Sequence, residues 1–357
     1  MSSGPGVSPQ RNQGYDLLRI VAILGVVAIH TFGPTAANQE IEGTPTWWIA
    51  RTLAIGSIFS VPVFVMLSGA LNLTERAHAD GPRAFYARRA RRVLPALVAW
   101  NFIYLVLIRM VLFREHLSGG QIVVALVTST VYPHLYFLWL IVGIYLVSPI
   151  LRAFLAGGGA RRAAWLAASL LGFTLIVFMV PRLPWLSGAV PPLQLGALTF
   201  WLAYVGYFVT GYALSVCTAP RRWVRLSVVG LVVLGAGTVV QSAFPDRFPL
   251  LAAVSPVEHL GMIVAVYSIA VFVVGVRWLA RADLSPRLAR LVVELSDASF
   301  GVFLVHLIVL LLPYHFLEGF HAHRSLPEAL LAYAVIVIVS FTVVIVARRT
   351  AFVKMIV

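Results

Sequence analysis

The chain has one cysteine and one lysine in 357 residues, Cys217 and Lys354. A single thiol excludes an intramolecular disulfide, a cysteine-based metal cluster and an iron–sulfur site. Charge is scarce as well. Only 11% of the residues are Asp, Glu, Lys or Arg, against about 25% in soluble domains. No glycine-rich phosphate loop, nucleophile elbow or zinc motif is present. No internal repeat is visible, which weakens a reading as a secondary transporter built from paired broken helices. No cleavable signal peptide is expected either. Residues 1–14 are a polar Gly/Pro/Ser tail, and the apolar run after them is too long and lacks a small-residue cleavage site.

What remains is apolar surface and arginine. Hydrophobic residues make up 60% of the chain, and the mean hydropathy is +0.92. This composition belongs to an all-α, polytopic membrane bundle. The formal net charge of +14 would suggest nucleic acid in a soluble protein. In a membrane protein it is explained first by cytoplasmic loops, so no nucleic-acid partner is expected. The near-absence of lysine reads as base-composition bias. A crossing needs about 20 apolar residues, and ten runs qualify: 15–33, 50–73, 93–113, 134–151, 163–180, 196–216, 226–243, 257–279, 298–317 and 327–347. A shorter run, Gln121–Tyr132, reads as an interfacial or re-entrant helix. Alternating the loops between the two sides puts 21 of the 27 basic residues on the side of the N-terminus. That pattern predicts ten spans with both termini cytoplasmic. The expected organisation is a disordered cytoplasmic tail, 1–14, followed by one membrane domain, 15–350.

Ionisable residues inside spans usually mark function, because each costs several kcal/mol there. Arg19 and His30 lie eleven residues apart in the first span. At about 100° per residue they share one helix face, about 16 Å apart along the axis. His30 falls about 22 Å from the inner end, in the outer third of the bilayer. Neutral imidazole suits proton abstraction there, from a hydroxyl arriving at the outer face. The competing reading is an arginine snorkelling to headgroups and a histidine bonded between helices. Arg88, Arg89, Arg91 and Arg92 crowd the loop FYARRARRVLP. They read either as positive-inside anchors or as a phosphate clamp, with Arg89 and Arg92 on one face. Ser68 and Gly69 lie near the inner end of the second span, where small residues allow close packing. His134 and Trp139 open the fourth span. Glu258 and His259 open the eighth, where Glu258 would orient His30 if it faced inward. His306 lies mid-span, a position more often structural. Ser296, Asp297 and Ser299 before it look like helix caps. His315, His321 and His323 form an outer cluster whose only nearby carboxylate is Glu318, so no metal site is expected.

Five of these features, in order, resemble the integral-membrane acyltransferase-3 family. They are Arg-x10-His in LLRIVAILGVVAIH, the span closing in Ser-Gly in VPVFVMLSGAL, and Arg-x-x-Arg before a proline in ARRARRVLP. HLYFLWLIVGIYLVSP matches the fourth span, and SFGVFLVH a late Ser-x-Gly-x-Tyr-Leu-x-His run with Phe303 in place of Tyr. The resemblance covers nearly the whole chain. It implies an O-acyltransferase of glycans with His30 as catalytic base. It also implies Arg89 and Arg92 at acyl-CoA, and Arg88 and Ser68 are expected beside them. Arg19 and Glu258 are expected to assist at the catalytic centre, and His134 and Trp139 to meet the substrate. Acetyl-CoA is then a co-substrate and no cofactor is bound. The acceptor would be an exopolysaccharide or other cell-surface glycan, or its lipid-linked oligosaccharide. Membrane lipid surrounds the protein, a polysaccharide biosynthesis complex is a natural partner, and the bacterial inner membrane is its place. Two other classes compete: a transporter or flippase without covalent chemistry, and a scaffold subunit of an export complex.

Overall fold

The computed structural model describes residues 12–186, 188–191, 193–217, 220–316, 325–350 and 353–357. The expected tail therefore lies almost wholly outside the described residues, as do Glu318, His321 and His323.

Every regular element among the described residues is helical. The first, α1 (Gln13–Ala37), starts at Asn12, whose side chain accepts from the Gly14 amide. The second crossing is broken into α2 (Pro45–Gly56) and α3 (Ser60–Asn72). At the break the Ser60 hydroxyl donates to the Ser57 carbonyl at 2.7 Å, and Pro62 brings no amide hydrogen to the first turn of α3. Next comes α4 (Gly81–Phe102), which continues as a widened helix over Ile103–Leu112. A short α5 (Gly119–Val127) follows, started by a Ser118/Gln121 capping box. The remaining helices are α6 (Tyr136–Leu155), α7 (Gly159–Met179), α8 (Val205–Val216), α9 (Arg221–Ala243), α10 (Pro249–Val254), α11 (Met262–Trp278), α12 (Pro286–Phe316) and α13 (Leu326–Ala347).

Among the described residues, eight helical segments are long and apolar enough to cross a membrane. Two shorter apolar helices, Phe200–Val216 and Met262–Trp278, occupy the sixth and eighth expected runs. The protein is a polytopic helical membrane bundle. Apart from the break inside the second, differences from the expected runs lie at the edges. The eighth begins at Met262, not residue 257, because the chain turns tightly before it. A Cβ on Gly261 would stand 1.9 Å from the Pro256 carbonyl oxygen. The ninth extends back to Pro286, and α5 covers only the first part of the run Gln121–Tyr132.

The first helix is central. It packs against α2, α3, α11, α12 and α13. Its pairing with α12 fixes direction: Arg19 bonds Ser296, and about three turns further on His30 meets His306. The two helices therefore run parallel, as a first and a ninth crossing must when spans alternate. Large apolar side chains such as Phe173, Ile150, Leu226 and Leu331 stay exposed on the outer helices. On a membrane bundle these are lipid-facing surface.

Candidate active site

Three histidines from distant parts of the chain meet inside the bundle. His30 of α1 and His306 of α12 have ring centres 5.3 Å apart. His134, just before α6, lies 5.5 Å from His306 on centroids. His306 is completely buried and His134 is 3% exposed. The rings of Phe303 and Tyr104 close the cluster on His134, at 5.3 and 4.8 Å. Tyr104 belongs to the widened stretch after α4, and its hydroxyl donates to the Leu304 carbonyl at 2.9 Å. Such widened turns recur at functional sites because they re-aim a side chain. Among the described residues, no group of three or more His, Cys, Asp or Glu side chains is arranged to hold a metal ion.

A cavity of about 580 Å³ borders the cluster on the side of the basic-poor loops. Ile29 and Gly33 of α1, which flank His30, line it. So do Tyr136, Phe200, Tyr204 and His259. The Tyr136 and Phe200 rings lie 5.2 Å apart on centroids. His259 Nδ1 is 3.3 Å from the Tyr204 hydroxyl and 3.4 Å from that of Tyr136. The His259 carbonyl accepts from Tyr207 at 2.5 Å. Aromatic faces with hydroxyl and imidazole edges suit a polyhydroxylated ligand: the faces cover its apolar patches and the edges bond its hydroxyls. Glu258 also lines this cavity. Its carboxylate pairs with Arg182 at 2.8 Å and is half exposed, whereas it is the neighbouring His259 that reaches the tyrosines.

Arg19 takes part in a network at the other end of α1. Its guanidinium donates to Ser296 at 2.8 Å and lies 3.6 Å from Asp16. The Ser296 hydroxyl in turn donates to Asp16 at 2.6 Å. Asp16 is 3% exposed. The network fastens α1 to α12 and thereby sets the register that brings His30 to His306. Arg19→Ala takes a cation from beside a buried carboxylate, a change that costs about 3–5 kcal/mol when a buried pair is broken. The expected result is a lower melting temperature in detergent, partly restored by Arg19→Lys. An unchanged melting temperature would show that the network does not hold the helices.

At that same end Arg89 is half-buried while Arg88, Arg91 and Arg92 are exposed. Arg89 lies over the rings of Phe85 and Tyr145, 5.5 Å from each centroid. Its Nε is buried without a hydrogen-bond partner. Arg88 is held at the surface by Asp80, at 2.6 Å. His78 stacks on Phe85 at 4.3 Å and donates from Nε2 to the Asn72 carbonyl at 2.8 Å. Burial lowers the His78 pKa and the Asn72 bond opposes that. The charges of Arg152, Arg89 and Arg88 lower it further. Three guanidiniums thus act on one imidazole. Arg152 itself pairs with Glu75 at 2.7 Å and bonds the Tyr212 hydroxyl at 3.1 Å. The cluster has a cationic surplus and an orphaned buried donor, chemistry that suits an anion such as a phosphate. Close by, the hydroxyl and carbonyl of Ser68 accept from the Asn72 side chain at 3.1 and 2.8 Å. Trp139 is half-buried on α6, and its Nε1 has no partner.

His30 and His134, singled out by sequence, are thus brought together. His306 joins them, and His259 with Tyr136 and Tyr204 forms the cavity wall beside them. Two signals for these existed: the resemblance of SFGVFLVH to the family's late run, and the density of Tyr and His in outer segments.

The fold and site define a multi-pass integral membrane protein with a buried imidazole cluster between a cationic end and an aromatic cavity. The family model described as an acyltransferase domain, Acyl_transf_3, matches residues 12–349. The chain belongs to the acyltransferase-3 family. No curated protein and no solved structure matches it.

Proposed function

We propose that the protein is an O-acyltransferase of the bacterial inner membrane, with residues 15–350 as its catalytic domain. It moves an acyl group, acetyl by default, from cytoplasmic acyl-CoA to a hydroxyl of a cell-surface or exopolysaccharide glycan or its lipid-linked precursor. The observation that carries this reading is His30 packed on His306 beside the aromatic cavity, in a chain of an acyltransferase family. The acceptor hydroxyl lies in the cavity and gives its proton to His30. Its oxygen bonds to the thioester carbonyl carbon, the carbon–sulfur bond breaks, and the leaving thiolate takes the proton held by His30 to become the CoA thiol. His134 and Trp139 bound the acceptor. Arg89 holds donor phosphate, and Arg92, Arg88 and Ser68 complete the approach.

The direct test is glycan analysis of a deletion strain complemented with the gene. The complemented strain gains the mass of one acyl group per modified sugar, and no gain overturns the reading in favour of transport or scaffolding. The donor site has its own test. Arg89→Ala should raise KM for acyl-CoA about tenfold or more, a loss in line with a charge-assisted bond. Arg92→Ala, at an exposed position, should raise it less. Equal KM values for wild type and Arg89→Ala would remove Arg89 from the donor site.

A further inference from the structure

In the site just described the base would need something to fix its tautomer and to stabilise its charged form. In hydrolase triads a carboxylate does this. Here Glu258, the carboxylate lining the cavity, is engaged by Arg182.

His306 has the required atom. Its Nδ1 lies 2.8 Å from the Phe303 carbonyl oxygen and 3.1 Å from that of Val302. Carbonyl oxygens only accept, so Nδ1 carries the hydrogen. In a neutral imidazole the other nitrogen, Nε2, is then a lone-pair acceptor. That Nε2 is buried without a partner, on a ring that is completely enclosed. A buried acceptor left unpaired costs about 1–3 kcal/mol, so one at this position calls for an explanation. The nearest imidazole on the cavity side is His30, 5.3 Å away on centroids with a 45° tilt. In the observed rotamers the two rings are not hydrogen-bonded, and at this separation a turn of the His30 ring brings a nitrogen edge toward Nε2.

We propose that His306 is a positioning residue for His30, its Nε2 accepting a hydrogen from one His30 ring nitrogen and so aiming the lone pair of the other at the acceptor hydroxyl. The main chain of α12 sets the His306 tautomer, His306 sets that of His30, and His30 faces the substrate. When His30 takes the hydroxyl proton, both its nitrogens become donors. One of them still faces His306 Nε2, so the developing imidazolium is bonded at the moment it forms. The proton bound to His306 Nδ1 does not move. This arrangement rests on the acyl-transfer reading for its chemistry, but not for its geometry.

Two substitutions separate the two ends of the His306 ring. The amide of Asn reaches about as far as Nδ1 and can keep the bond to α12, but it offers nothing at Nε2. The amide of Gln reaches about as far as Nε2 and offers an acceptor oxygen there. The first measurement needs no substrate: ¹⁵N chemical shifts of the His30 ring in purified protein. Wild type and His306→Gln should show one dominant His30 tautomer, and His306→Asn a mixture of both. The second is turnover. His306→Asn should lower kcat about 100-fold with KM for donor and acceptor unchanged, and His306→Gln should recover at least a tenth of the wild-type rate. A structural role predicts the reverse order, with Asn tolerated and Gln not. That order overturns the proposal, as do His30 shifts identical in wild type and both variants, or loss of kcat in both. A wild-type protein with no acyl transfer would defeat the proposed function alone, since the ring shifts would still decide the positioning role.

Discussion

His30→Ala is expected to abolish glycan acylation while the protein accumulates in the membrane at the wild-type level. The two halves of that result come from different physics. Alanine is the best helix former, and α1 is held by contacts along its whole length, including the Arg19–Ser296 bond at its far end. Losing one ring from a site that borders a cavity leaves the rest of the packing in place, so the fold survives. The chemistry does not. A positioned base contributes about 10²–10⁴ in rate, and no other imidazole shares the place of His30: His134 is enclosed behind His306, and His259 is engaged with Tyr136 and Tyr204. His30→Gln keeps much of the volume and should be equally inactive. The readout is the mass of the isolated glycan from a complemented deletion strain, with protein level measured by immunoblot. Full acylation in either variant would remove His30 from the reaction.

The helical crossings were legible because a bilayer imposes a length and a charge asymmetry that any sequence must show. The parallel run of α1 and α12 agrees with the alternation those two rules require. Crossing edges were less legible: the tight approach of Gly261 to Pro256 delays α11, and a hydropathy window does not register a turn. In the site, Arg19 and His30 could be placed on one face by helix arithmetic alone, and both meet α12. His306 could not be joined to them in advance, because its contact depends on how α12 registers against α1, which packing decides. Glu258 and His259 show a further limit. They are neighbours in a non-helical segment, so no periodicity says which one faces Arg182 and which the tyrosines. For Arg89 and Arg92 the shared face was readable but their depth was not. Depth follows from Tyr145, on another helix, lying over one and not the other.

Gly69→Val and Gly211→Val are expected to prevent assembly of the bundle, the largest stability effect anticipated in this protein. The crossing of α3 and α8 is reciprocal. A Cβ on Gly69 would stand 1.7 Å from the Phe208 carbonyl oxygen, and one on Gly211 1.9 Å from that of Met66. Each glycine thus receives the carbonyl three residues before its partner glycine. The obstructing atoms are backbone, so no rotamer change relieves the clash, and the helices would have to separate. Overpacking a core costs about 1–3 kcal/mol when side chains can shift and more when they cannot. Separation would also forfeit the close backbone contacts that hold membrane helices together. Ser68→Ala is the matched control. The Asn72 side chain bonds both the Ser68 carbonyl and its hydroxyl, and alanine keeps the first, so the expected cost is about 1 kcal/mol or less. Fluorescence-detected size exclusion in detergent, with thermal challenge, separates these outcomes. A monodisperse Gly69→Val protein melting with the wild type would show that the crossing is not as tight as described. A Ser68→Ala protein that stays folded but loses acyl-CoA affinity would assign the serine of this Ser-Gly pair to the donor site, while its glycine serves the packing.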